Sequence, residues 1–432
     1  KSYTYKVERR PEEIENFSQP HFELLNEIKL SKNVKFNSAL FLVLGNGFFD
    51  YDASWSIYYN DYFRLKANGF DSTANAENSL IRAQVENKQW GWIPRISIKH
   101  KNGRLILGGE YRNHRSVHWG SINFAEGLPK GVTKNYKYYY FQGGKDIADL
   151  FANEDYNFTE RFSVLAEVQI AYHKYRLYNE KYVGNDFTVS NVFVNPRIGL
   201  NYKFSTKMNG YISAARVSRE PRLKTYYDAA ESSGGEVPQF AVDANGNYDF
   251  SKPLVQPETM NSLDIGLNAE GSNFTASADF FYMLFDNEIV KKGQVDRFGQ
   301  PITGNIDRSV HTGLEFSLAL NFMKNFKLIV NGSYSKNHIS NGKTFKKFNG
   351  NSIALDLSGN RISGFPDETA NVILQYNSSG LFAEFVAKYV GDFYSDNFDA
   401  KLSEYENRYP GIIGYKDNKV DAYFVANFMA SY

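Results

Sequence analysis

The sequence contains no cysteine among its 432 residues. Disulfides and thiolate metal centres are therefore excluded, and cysteine usage leaves the redox compartment open. Net charge is also lacking: 49 Lys and Arg against 48 Asp and Glu give +1, so no global field suggests nucleic acid as a partner. There is no apolar run of roughly 18 residues, which excludes a membrane-spanning helix. No helical period of useful length occurs, and no repeat larger than a hairpin. The chain opens at Lys1 without a methionine or a signal-like segment. Its N-terminus is read as cut, and export signals as lying outside the sequence.

Aromatic residues are abundant, with 35 Phe, 31 Tyr and an aromatic share of 16%. Membrane barrels consume rings in bulk, as girdles at both interfaces. The mean hydropathy of −0.48 agrees with such a barrel as well as with a soluble protein, because only alternate residues of a barrel strand meet lipid. As a soluble protein the chain would be expected to divide into two or three domains.

Alternation with period two recurs throughout. In "GLEFSLALNF" (313–322), Leu314, Phe316, Leu318, Leu320 and Phe322 share one face of a strand, and Glu315, Ser317, Ala319 and Asn321 the other. The same unit flanks "EGSN" (270–273), "NSSG" (377–380) and "STKMN" (205–209), connections rich in the residues tight hairpins prefer. Many strands exceed ten residues, longer than a typical soluble strand of about five or six. Short connections at 101–103, 205–209, 270–273, 323–325 and 377–380 alternate with long polar segments at about 45–78, 113–145, 219–260, 285–304, 336–367 and 392–418. Outer-membrane barrels have this layout, with short periplasmic turns and long extracellular loops. The pattern predicts an all-β fold, a transmembrane antiparallel β-barrel fragment of about 15 strands, the first near 20–31 and the last at 420–432. Both run downward, so strand parity predicts an odd number of strands before Lys1 and an even number after Tyr432. An edge left open in lipid is not viable, so the chain is expected to be completed by further residues.

The phrases "QPHFELLNEIKLS", "QWGWIPRISIKHKNGRLILGGEYRNHRSVHWG", "FVNPRIGLNYKFS", "SREPRLKTYYDA", "KPLVQPETMNSLDIGL" and "NIDRSVHTGLEFSL" together resemble a TonB-dependent outer-membrane receptor of the Bacteroidetes-like type. The resemblance covers most of the chain and rests on the order and spacing of the phrases. It implies a barrel of about 22 strands, of which this chain would supply roughly strands 6–20, so that residues 1–432 form a partial barrel. It also implies a plug domain and a TonB-contacting segment that precede the barrel and are not in this sequence. The implied partners are outer-membrane lipid, the TonB complex and a small-molecule or chelate substrate. No resident cofactor is implied, and the loop motif of haem-type receptors is not found.

Candidate site residues fall in two clusters. The first holds Arg112, His114, Arg115, His118 and Trp119. Glu110, Arg112 and His114 share one strand parity and Leu105, Leu107 and Tyr111 the other, so the polar set is expected to face the lumen, with His118 in the loop above. A histidine pair can ligate a metal, but no third ligand is evident. Loop hydrogen bonding and contact with substrate are the other two readings. The second cluster, Arg216, Arg219, Glu220 and Arg222, opens the longest loop, which also carries Tyr226 and Tyr227. Arg216 has the parity opposite to Tyr211 and Val217, which predicts a lumenal side chain. These arginines either fix the base of the loop or meet an anionic substrate. The rings of "FFDYDASWSIYYNDYF" (48–63) either stack on ligand or pack the loop, and "DANGNYD" (243–249) reads as an ordinary turn. No catalytic motif is present, such as a nucleophile elbow or a phosphate cradle. The expected function is energised uptake of a scarce solute, foremost a ferric siderophore or other metal chelate. The alternatives are a passive porin-like or adhesin barrel and a soluble aromatic-rich carbohydrate-binding or glycosidase β-protein.

Overall fold

A computed structural model of the chain describes residues 10–70, 77–133, 135–295 and 301–432. Its strands are β1 (Glu15–Ser18), β2 (His21–Lys29), β3 (Val34–Asp52), β4 (Glu77–His100), β5 (Gly103–Glu126), β6 (Lys137–Asn157), β7 (Phe162–Tyr178), β8 (Phe187–Ser205), β9 (Met208–Arg219), β10 (Phe240–Val242) and β11 (Tyr248–Pro253). There follow β12 (Glu258–Glu270), β13 (Phe274–Val295), β14 (Pro301–Met323), β15 (Phe326–Asn341), β16 (Lys343–Phe348), β17 (Asn351–Asp356), β18 (Glu368–Ser378), β19 (Leu381–Val390), β20 (Phe393–Tyr394), β21 (Lys419–Val420) and β22 (Tyr423–Ser431). Two short helices, α1 (Leu223–Tyr226) and α2 (Leu402–Arg408), lie in long loops.

Sixteen strands form one sheet in the order β1-β3-β4-β5-β6-β7-β8-β9-β12-β13-β14-β15-β18-β19-β22, with β2 also paired to β3. β1 pairs with the upper part of β3 and β2 with its lower part. They are two halves of one position, separated at Gln19-Pro20, where proline removes a ladder donor. The sheet is thus fifteen positions wide, the number the alternation predicts. The other six strands form three small two-stranded sheets within the long loops.

Connections alternate strictly in kind. Those after β2, β4, β6, β8, β12, β14 and β18 have four residues or fewer. Ser379 and Gly380 carry φ of 50° and 87°, the left-handed pair that closes a two-residue hairpin without splaying its strands. The turn between β6 and β7, at 158–161, does not stand out in the sequence. The strands run further than the alternation suggests. β4 and β5 have 24 residues each, against roughly 9–11 needed to cross a bilayer. The segments 113–145 and 336–367, expected as loops, therefore begin as continuing strands up to Glu126 and Asn341. Above the bilayer the outer face has no need to be apolar, so the ladder continues where the sequence pattern fades. Of the loops expected at 45–78 and 285–304, residues 71–76 and 296–300 lie outside the described residues.

Cross-strand partners share a face, so the register defines two walls. Trp92, Tyr111, Ala148, Tyr172 and Val192 form one rung, and Phe280, Leu314 and Tyr334 another. Their large apolar side chains are exposed; this is the lipid-facing wall. Gly91, Arg112, Ile147, His173 and Asn191 form a rung of the opposite, inner wall. Each strand inside the sheet has its backbone groups paired with neighbours on both sides, which is what permits strands in hydrocarbon. Gly266 shows how tightly the inner wall is dressed. The ring of Tyr211 lies over it, and the Tyr211 hydroxyl donates to Asp279 Oδ1 at 2.5 Å. A Cβ there would meet Asp279 and the Tyr211 ring at 2.2 and 2.4 Å.

Candidate functional site

The long loops fold inward onto the inner wall and bury their own apolar residues there. Ala53, Tyr62, Phe63 and Leu65 pack with Ile81, Ile122, Tyr138 and Tyr139 on β4, β5 and β6. Tyr226, Tyr227, Phe240 and Val255 pack with Leu177, Phe187 and Val189 on β7 and β8. Leu355, Ile362, Phe398, Leu402 and Tyr405 pack with Val290, Ile306 and Ile339 on β13, β14 and β15. The loops are tied to each other as well: Arg64 donates to Ser232 Oγ at 3.0 Å and to the Tyr138 carbonyl at 3.1 Å.

Below the loops on β5 to β7 lies a polar patch of the inner wall. Arg112 Nε meets Glu110 Oε1 at 2.5 Å, and its guanidinium lies 5.6 Å from the Phe41 ring. His114 stands opposite Lys145, and Lys145 opposite Tyr175. One rung-pair higher, His118 stacks on Phe141 with ring centroids 4.8 Å apart and 7° between planes, while its Nε2 meets Ser116 Oγ at 2.9 Å. Arg112 and His114 therefore face inward as their parity predicts, and His118 faces inward with them. His118 lies within β5, not in the loop above, because the strand continues past the bilayer.

Glu220, the first residue after β9, reaches into this patch. Lys145 Nζ donates to its Oε1, and His173 Nδ1 meets Oε2 at 2.8 Å. Next to it, Arg219 grips Glu258 with two bonds of 2.8 and 2.9 Å. The base of the 220–257 loop is thus pinned to the wall by ion pairs, which is the loop-fixing role that the sequence allowed for Arg219 and Glu220. Burial alone would raise the Glu220 carboxyl, but the bonds from His173 and Lys145 outweigh it and hold the group below its ordinary value of 4.5. A depressed carboxyl gives stability that is complete above the unfolded value and is lost as pH falls through the folded one. Nicking of residues 220–257 by an acid protease is therefore expected to accelerate as pH drops below about 4.5. Glu220→Gln is expected to lose that pH dependence.

Several expected contacts are corrected by the register and by burial. Arg115 and Trp119 have the parity of Tyr111 and lie on the outer wall. Arg115 pairs with Asp146 at 2.8 Å, and Trp119 carries Lys137 Nζ 4.6 Å above its ring. Arg216 also faces outward. Its cross-strand partner is Asn261, in the series of Ile212, Ile265 and Leu267. Tyr211, used to set the parity, is an inner-wall tyrosine covering Gly266, not a ring of the lipid girdle. Tyr226 and Tyr227 are 0% and 2% exposed and form the core of their loop, with the Tyr227 hydroxyl donating to Glu180 at 2.8 Å. Arg222 is exposed at the start of α1. The rings of 48–63 mostly pack the loop, with Tyr62 and Phe63 buried and Tyr58 84% exposed at its surface. Asp243 closes the turn between β10 and β11 by accepting from the Asn245 and Asn247 amides.

A second inner-wall cluster escaped sequence reasoning. His311 is buried between Phe285 and Phe365. Its Nδ1 meets Asn337 Oδ1 at 2.8 Å and its Nε2 meets Glu288 Oε2 at 3.2 Å, while Ser309 also donates to Glu288. Asn287, with φ of 55°, turns β13 so that Glu288 reaches inward. Ser309 and His311 share a strand face, and that spacing was the available signal. A cavity of about 570 Å³ at the short-turn end is lined by small polar residues such as Asn201, Asn209, Asn268 and Ser277. Among the described residues, no three His, Asp or Glu side chains converge to hold a metal ion.

The sequence matches the family described as TonB dependent receptor-like, beta-barrel, over residues 26–432. Among solved structures, the fold is similar to the ferric yersiniabactin uptake receptor FyuA from Yersinia pestis, at 14% identity and a TM-score of 0.60, over 96% of this chain and 54% of that one. It is similar to the siderophore receptor PiuA from Acinetobacter baumannii at 14% identity and a TM-score of 0.63, over 99% of this chain and 60% of that one. The copper transporter OprC gives 13% identity and a TM-score of 0.66, over 96% and 56%. The chain spans between 54% and 60% of the length of these proteins. With alternating walls, one-sided long loops and a family match over nearly its whole length, the chain belongs to the TonB-dependent receptor β-barrel family of the outer membrane.

Proposed function

We propose that the protein is the barrel wall and extracellular mouth of a receptor for energised, TonB-dependent uptake of a scarce solute, foremost a ferric siderophore or other metal chelate. The observation that carries this is the inward folding of the long loops over a polar patch of Arg112, His114, Lys145 and His173 on the inner wall. A pore for passive diffusion has no need to cover its wall in this way. Receptors of this family are transporters rather than enzymes, and the similar structures include an uptake receptor for ferric yersiniabactin, a siderophore receptor, a ferric citrate transporter and a copper transporter. The charge of the solute is not set by the arginine clusters, because Arg112, Arg115 and Arg219 are each engaged by a carboxylate. Contact with the solute is assigned to Arg112 and His114 on the wall, with Arg222 and Tyr58 at the loop surface.

The test is accumulation of radiolabelled iron from a panel of ferric chelates, using the full-length gene in a host with and without its TonB complex. Accumulation is expected only with the complex present, and its loss on adding a protonophore. Arg112→Ala with His114→Ala is expected to lower accumulation at limiting chelate roughly tenfold or more. Uptake that persists without the TonB complex would instead establish a passive barrel. Unchanged uptake in the double variant would remove the role given to these two side chains.

A further inference from the structure

On the outer wall, the rung of Trp92, Tyr111 and Tyr172 is followed toward the long loops by Trp90, Asn113, Asp146 and Lys174, and then by Lys88, Arg115, Gly144 and Arg176. The rings of Trp90 and Tyr111 lie 5.4 Å apart, and exposed Trp and Tyr at this position mark the boundary between hydrocarbon and headgroups. Two residues along a strand rise about 7 Å, so the third rung stands at headgroup depth in the leaflet on the long-loop side.

That third rung is cationic. Lys88 and Arg115 are direct cross-strand partners, and like charges placed opposite each other are unfavourable unless something anionic lies between them. Gly144 follows without a side chain, and Arg176 stands directly across from it. Arg115 lies over the gap, its Nη1 3.3 Å from where a Gly144 Cβ would be. It is held there by Asp146 at 2.8 Å and by the His114 carbonyl at 2.7 Å. Lys174 stands opposite Asp146. Glu86, the other carboxylate of the patch, accepts from Asn46 at 3.4 Å. Four cations thus face two carboxylates. Beside them is a groove of about 340 Å³ lined by Glu86, Lys88, Arg115, Val117, Gln142 and Tyr178.

We propose that this platform of Lys88, Arg115, Lys174 and Arg176 binds the phosphate-bearing headgroup of an outer-leaflet lipid, with the acyl chains lying along the aromatic rung below. A guanidinium fixed in orientation suits a phosphate, which accepts two parallel N–H bonds, and flanking cations add attraction at the membrane surface. This site is outside the barrel and independent of the solute-binding patch.

The test is native mass spectrometry of the full-length protein in detergent, titrated with bisphosphorylated lipid A and with its dephosphorylated counterpart. Wild type is expected to retain the phosphorylated lipid and not the other. Lys88→Gln with Arg176→Gln leaves the Arg115–Asp146 pair intact and is expected to weaken retention roughly tenfold or more. Arg308→Gln, on the same wall but paired with Asp286 at 2.9 Å, is expected to change nothing. Heat-modifiable gel mobility identifies variants that fail to fold; if the double variant is among them, Lys88→Gln alone carries the test. Equal loss in Arg308→Gln, or full retention in the folded platform variant, would overturn the proposal. So would displacement of the lipid by millimolar inorganic phosphate, which would identify a site for the free ion.

Discussion

Arginine introduced at Phe316 is expected to destabilise the folded barrel by about 2–4 kcal/mol, and arginine at the next residue, Ser317, by no more than about 0.5 kcal/mol. Phe316 is 49% exposed and shares its rung with Ala278 and Gly332. Phe322 lies nearer the short turns, and the Tyr282–Thr312 and Leu314–Tyr334 pairs nearer the loops, which places Phe316 well inside the hydrocarbon. A guanidinium there must give up water without a protein partner. Ser317 sits between Ser277 and Asn331 on the inner wall, where the same charge stays hydrated. Urea unfolding of the full-length protein refolded into phospholipid bilayers measures both. Equal costs would mean that the two walls have been assigned wrongly.

Glu220→Ala is expected to release the base of the longest loop, at a cost of about 2–3 kcal/mol. The carboxylate is only 8% exposed, and its removal leaves the Lys145 ammonium and the His173 ring half-buried without their partner. Lys145 and His173 retain 27% and 23% side-chain exposure, so water offsets part of the loss and the cost falls below the roughly 3–5 kcal/mol typical of fully buried pairs. The change is local, because the sheet continues without the loop. Protease cleavage within residues 220–257 is expected to rise roughly thirtyfold or more, while the unfolding midpoint of the barrel stays in place. Cleavage unchanged from wild type would show that apolar packing of Tyr226, Phe240 and Val255 alone seats the loop.

The wall was legible in the sequence because lipid imposes a strict rule on it. One face of each strand must be apolar, so Leu314 to Phe322 announce their register, and tight turns such as Ser379-Gly380 announce their ends. Where that rule lapses, so does the reading. The upper halves of β4 and β5 mix polar and apolar residues on both faces, with Ile81 and Ile122 turned onto the loop core, and so lose the alternation that marks a strand in lipid. Parity taken from a single aromatic misleads when that ring covers an inner-wall glycine, as Tyr211 does over Gly266, and this reversed Arg216. Loop residues have no period at all. Tyr226 and Tyr227 are chemically suited to stacking on a ligand but are used to bury the loop against Leu177 and Phe187. Arg112 and His114 face inward as their parity implied, because they lie on a strand with marked alternation, whereas His118, expected in the loop, belongs to the polar continuation of that strand. The His311 cluster needed Glu288 from another strand, brought inward by the turn at Asn287, which no local pattern reveals.

The absence of cysteine makes one measurement especially direct. Single substitutions Tyr58→Cys and Asn245→Cys in the long loops, and Lys207→Cys and Lys324→Cys in the short turns, each create the one thiol within these 432 residues, and are made in the full-length protein with any cysteine elsewhere replaced by serine. Intact cells are treated with a membrane-impermeant maleimide. The loop thiols are expected to react in intact cells, and the turn thiols only after the outer membrane is opened. Reaction of Lys207→Cys or Lys324→Cys in intact cells, with Tyr58→Cys protected, would invert the barrel and contradict the placement of the solute-binding mouth at the cell surface.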